Sequence, residues 1–275
     1  MFADDCTLLQ PIKSVASRNV GYSSLQADLD NILSWAALNQ MKFAAHKTQS
    51  MTISRRKDRA TGHLQLTMSG EEISEVSSLK LLGVEFAENG STNGHILAKA
   101  ATAAKLVGML RRQSKYFTER ARQHIYVATI RPHLEYSSPV FVNAPAGTLR
   151  VLERVQQRAA KLFPSVVLDS MELRRNIAGL CQLFKIIDNS APISVMEHIK
   201  PKFASFQRTT RLSESVNLRA LEVPKSRTEH HKRSFLPTYS RLWNKLGNET
   251  VFANSVANFK KRACREMRTN CSNTG

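Results

Sequence analysis

Two sets of residues in this sequence could do chemistry: an acidic pair at its start and a row of cations past its midpoint. Asp4 and Asp5 follow Phe2 and Ala3, and two carboxylates on a tight turn supply the hard oxygen ligands that Mg²⁺ requires. In nucleotidyl transfer, two such ions about 4 Å apart activate the attacking oxygen and hold the triphosphate. Taken alone, the pair also reads as an ordinary turn or helix cap, where aspartate is common. Farther on, Arg150, Arg154, Arg158 and Lys161 recur at i, i+4, i+8 and i+11. That spacing sets four positive charges on one face of a helix. A phosphate backbone lying alongside would meet a row of charge, and a merely solubilising face has the same pattern.

The totals say what class of chain must position these groups. With 275 residues and 42% apolar content, it is long enough for one large domain or two modest ones. No uninterrupted apolar run approaches the roughly 18 residues needed to span a bilayer, and no leader pattern precedes a small-residue cleavage site. The expectation is a soluble intracellular protein without a membrane partner, in nucleus or cytoplasm, the nucleus slightly favoured. Cys6, Cys181, Cys264 and Cys271 are scattered, with no spacing that suggests a zinc ligand pair or a disulfide framework. The net charge of +18 is uneven: residues 1–90 carry −1, residues 91–144 carry +6 and residues 145–275 carry +13. Excess positive charge gathered in one part of a chain favours a polyanionic partner, nucleic acid first. The basic runs Arg55-Arg56-Lys57 and Lys260-Lys261-Arg262 are short enough to arise by chance, or could serve nuclear import.

The pattern of elements is α+β at the front and helical behind. A short strand is expected over 5–10, then a helix carrying Leu25, Leu29, Ile32, Leu33 and Ala36, with Ser23 and Gln26 as a capping box. Residues 41–53 read as a strand. Leu64, Leu66 and Met68 alternate toward a Ser69-Gly70 turn and a hairpin partner over 71–76. An apolar strand follows at Leu79–Phe86, interrupted by Gly83. Helices are predicted over 93–112, over 118–130 with its stop at Pro132, over 148–163 behind Thr148, over 171–188 and near 250–268.

The order of these segments resembles the reverse transcriptases of non-LTR retrotransposons, the LINE or jockey-like enzymes. Phe2-Ala-Asp-Asp-Cys-Thr-Leu-Leu9 is similar to their palm turn. Leu25 to Trp35 and Met41 to Met51 resemble the next palm helix and a strand bearing a lysine, and Leu79-Lys-Leu-Leu-Gly-Val84 resembles the primer grip. Tyr126 to Val140 and Leu152 to Ala160 resemble the thumb and the segment after it, while Arg233 to Pro237 and Arg241 to Asn244 resemble the C-terminal region. The likeness spans nearly the whole chain.

The resemblance implies a partial palm of antiparallel sheet with one helix over 1–90, a helical thumb over 91–165 and a basic, mostly helical C-terminal region over 166–275. It implies RNA-directed DNA polymerisation on an RNA template and DNA primer, with deoxynucleotides as substrates and a Mg²⁺ pair held by Asp4 and Asp5. Lys47 would approach the departing pyrophosphate, where a cation offsets developing charge. Phe2, Leu82 and Gly83 would lie against the primer, and Gly83 is also readable as a bulge in the sheet. The earlier palm aspartate that bridges both metals, and the fingers, are not among these 275 residues. The chain is therefore expected to be inactive alone. Its alternative reading is a non-catalytic nucleic-acid binder built from the thumb and the basic C-terminal helices.

Overall fold

The apolar stripe Leu25, Leu29, Ile32, Leu33 and Ala36 forms the inner side of α1 (Arg18–Leu38), the first helix in a computed structural model of the chain. The structure describes residues 6–12, 14, 16–55, 65–188, 196–202 and 217–272. Two compact units emerge, Met1–Ser91 and Thr92–Gly275. The division expected at 165/166 falls inside the second.

In the first unit, α1 packs on a small core of Leu29, Leu66, Met68 and Ile73, joined by Leu8, Tyr22, Phe43 and others. The described strands are β1 (Gln49–Ser50), β2 (Thr67–Met68), β3 (Glu71–Glu72), β4 (Ser74–Glu75), β5 (Ser78–Leu81) and β6 (Val84–Ala87). They form three separate two-stranded ladders, β2–β3 and β5–β6 antiparallel and β1–β4 parallel, where one antiparallel sheet was expected. Ser69 and Gly70 both take positive φ, 53° and 82°, as a two-residue hairpin turn requires.

Other elements of the first unit differ from those expected. Residues 6–10 join no ladder; Leu8 instead contributes to the core. The 41–53 strand is a 3₁₀ turn over Ala45–Lys47 with only β1 extended after it. The Thr48 hydroxyl donates back to the Ala44 carbonyl at 3.1 Å, a local bond that competes with strand pairing. Leu79–Phe86 is not one interrupted strand but the β5–β6 hairpin, with Leu82 (φ 47°) and Gly83 (φ 79°) as its turn. Gly83 is there for its left-handed backbone, not for a bulge. Ser23 and Gln26 form no capping box, since the helix begins five residues earlier. Gln26 pairs instead with Thr67, donating to its carbonyl and accepting from its N–H, both at 2.9 Å.

The second unit is helical: α2 (Asn93–Gln113), α3 (Glu119–Ile125), α4 (Arg131–Glu135), α5 (Ala146–Ala160), α6 (Met171–Ile187), α7 (Glu229–Lys232), α8 (Phe235–Trp243), α9 (Asn248–Val251) and α10 (Val256–Ser272). Thr118 caps α3, its hydroxyl accepting from the Ala121 N–H. Pro132 does not stop the helical run before it. A π-helical turn over Tyr126–Ile130 leads directly into α4 with the proline in its first turn. The widened register there absorbs the missing proline N–H.

Two cores meet at α6. One gathers Ile96, Ala100, Val107, Tyr126, Leu134, Leu152, Val155, Phe163 and Met171 between α2, α4 and α5. The other gathers Leu180, Phe184, Tyr239, Trp243 and Phe259 between α6, α8 and α10. Its centre is an aromatic stack: Phe184 and Phe259 at 4.6 Å, Trp243 and Phe259 at 5.6 Å.

Candidate nucleic-acid interface

The second unit holds 31 lysines and arginines against 12 aspartates and glutamates, a net of +19, and α5 carries the most regular part of that excess. Its buried side is Leu152, Val155, Gln156 and Ala159, which fixes the rotation of the helix. The opposite side exposes Arg150, Arg154, Arg158 and, at the C-cap, Lys161. At about 1.5 Å and 100° per residue these cations lie within an arc of about 80° along some 16 Å of helix. None of the four makes an ion pair or side-chain hydrogen bond among the described residues.

The one carboxylate on α5 does not neutralise this row. Glu153 turns inward, where its Oε2 accepts the Met171 N–H at the start of α6 at 2.8 Å. A carboxylate there satisfies an otherwise open helix donor and complements the helix dipole. Beside it, the Tyr126 hydroxyl donates to Gln156 Oε1 at 2.9 Å and Gln156 Nε2 donates to the Asp169 carbonyl at 2.9 Å. Burial pushes the Tyr126 phenol far above its ordinary value, so it stays a neutral donor.

Asp169 extends this support to α10. Its two carboxylate oxygens accept from Arg268 Nε and Nη2 at 2.8 and 2.6 Å. That bidentate bond holds the Asp169 carboxyl below the usual carboxylate range against a smaller opposing effect of burial. Arg174 bonds Glu135 with both Nε and Nη2, and Arg131 approaches the same carboxylate at 3.7 Å.

A depressed carboxyl carries a sign. The folded state binds this proton less readily than the unfolded chain, so the Asp169–Arg268 contact adds stability above the ordinary aspartate pKa of about 3.9 and loses it as pH falls below that value. Asp169→Asn should therefore lower the thermal midpoint near pH 7, and the gap from the parent chain should narrow toward about pH 3. Circular-dichroism melts across that range decide it. A gap that stays constant with pH would mean the pair has no charge-linked role.

The remaining candidate residues lie elsewhere. Phe2, Asp4 and Asp5 fall outside the described residues. Lys47 is exposed at the end of its 3₁₀ turn, and Leu82, 73% exposed, tops the β5–β6 hairpin with Gly83. Both elements belong to the first unit. Among the described residues no group of three or more His, Cys, Asp or Glu side chains could hold a metal ion, and no helix is long and apolar enough to cross a membrane. Sequence reasoning missed Gln156, Asp169 and Arg268 as supports of the basic helices. Their roles depend on contacts 13 to 99 residues apart, which no local spacing signals. Set against known proteins, the chain matches no family model, no curated protein and no solved structure.

Proposed function

We propose that this chain is a nucleic-acid-binding protein of non-LTR reverse-transcriptase lineage, whose second unit grips the phosphate backbone through α5. The observation that carries the reading is the exposed row of Arg150, Arg154, Arg158 and Lys161, unpaired among the described residues, on a helix whose only acid faces inward. The row has no aromatic neighbour on α5, so it suits contact with phosphates, which position a duplex without reading its sequence. The lineage rests on the ordered resemblance along the sequence. In that lineage the chain would act on an RNA template and a DNA primer as part of an RNA-directed DNA polymerase, with Asp4 and Asp5 as Mg²⁺ ligands and Lys47 facing the leaving pyrophosphate.

The test is binding of the full chain to a short RNA–DNA duplex, followed by fluorescence anisotropy from about 50 to 200 mM salt. Replacing all four cations with glutamine should flatten the slope of log affinity against log salt by about 3 to 4, near 0.9 per lost phosphate contact. Because the four side chains are exposed, the helical signal should not change. Binding by the parent chain that ignores salt would overturn the reading, and a variant with the parent slope would remove α5 from it.

A further inference from the structure

We infer that the outward face of α10 is a second phosphate-binding surface, independent of α5, and that it takes the backbone of a nucleic acid. The helix repeats the charge arrangement of α5 in different residues. Lys260, Lys261, Arg262, Arg265 and Arg268 are all exposed, against a single acid, Glu266, in the whole helix. Glu266 turns inward, its Oε1 accepting the Gly247 N–H at 2.7 Å and its Oε2 accepting the Thr250 hydroxyl at 3.0 Å. It caps the start of α9 and neutralises nothing on the outside.

Two of the five cations have work within the fold, Arg268 at Asp169 and Arg262 at the Glu249 carbonyl. Lys260, Lys261 and Arg265 make no ion pair among the described residues. Lys261, Arg265 and Arg268, with Cys264 and Thr269, line one open cleft on this side of the helix. Those cations recur at i, i+4 and i+7, one above another along the helix.

Charge complementarity calls for a polyanion, and the rest of the helix selects which. A helix that lies on an anionic membrane needs a free apolar face to bury among the lipids. On α10 that face, Phe259 and Ala263, is already buried in the second core. Among the described residues of α10, no large apolar side chain is exposed. Phosphodiester backbone needs only the cations.

The inference rests on the chain's reading as a nucleic-acid binder, not on α5. Its test is the full chain with Lys260→Gln, Lys261→Gln and Arg265→Gln combined, made both in the parent and in the four-fold α5 variant. In each background the salt slope on the same duplex should flatten by about 2 to 3, and affinity at about 100 mM salt should fall tenfold or more. The charge-keeping set Lys260→Arg, Lys261→Arg and Arg265→Lys should retain the parent slope, which separates lost charge from lost fold. An unchanged slope in the glutamine set overturns this inference and leaves the α5 reading standing. A loss confined to the α10 variants supports it and removes α5 instead. Binding to phosphatidylserine vesicles with none to the duplex overturns it as well.

Discussion

Gly179→Ala is expected to destabilise the second unit by about 2 to 3 kcal/mol, although alanine is the better helix former by about 1 kcal/mol. A Cβ at this position would stand 1.9 Å from Tyr239 Cζ and 2.2 Å from Cε1. Neither side can give way easily. The Tyr239 ring is 1% exposed, packs on Phe235 at 4.7 Å, and burial pushes its hydroxyl up to about 12. Interiors this dense transmit an added methyl as strain instead of absorbing it. For a unit of this size the loss lowers the thermal midpoint by about 5 to 10 °C. Urea titration followed by circular dichroism measures it, and the Tyr239→Ala background supplies the control. Once the ring is gone, Gly179→Ala should become neutral or mildly stabilising. An equal loss in both backgrounds would refute the steric explanation.

Trp243→Ala should be more damaging still, about 4 to 5 kcal/mol. The side chain is fully buried between Phe184 and Phe259, and its removal leaves a cavity at the centre of the second core. It also ties down chain outside the helices. Trp243 Nε1 donates to the Arg219 carbonyl at 2.8 Å, Asn217 Nδ2 donates to the Trp243 carbonyl at 2.7 Å, and the Asn244 side chain pairs with both backbone groups of Leu221 at 2.8 Å. Trp243→Phe keeps most of the volume and loses the Nε1 bond, so it should cost about 1 to 2 kcal/mol. The two variants differ in the denaturation midpoint and in protection of the 217–222 amides from exchange. If alanine and phenylalanine prove equally mild, Trp243 is not the keystone of the second core.

Much of the helical architecture was legible in the sequence because it depends on local period. The stripe on α1 and the bounds of α2 and α6 read directly. What was not legible depends on contacts or on backbone choices that residue type does not announce. Leucine seldom takes positive φ, so Leu82-Gly83 reads as strand until the pairing of Leu81 with Val84 is seen. Pro132 reads as a stop because a π-turn carries no sequence mark. A glycine inside a helix costs stability on propensity alone, whereas the Tyr239 ring makes Gly179 a requirement.

The candidate site divides the same way. The row on α5 follows from spacing, but a lone glutamate in a basic helix looks like charge compensation. Only the geometry of Glu153 and Glu266 turns it into a helix cap.

The two tryptophans fall one to each unit, Trp35 54% exposed on α1 and Trp243 at 0% in the second core. Their emission colours must therefore differ in the native state, red from the wetted indole and blue from the dry one. Loss of the blue component reports the helical unit alone, so intrinsic fluorescence can follow the melting of one unit without labelling either.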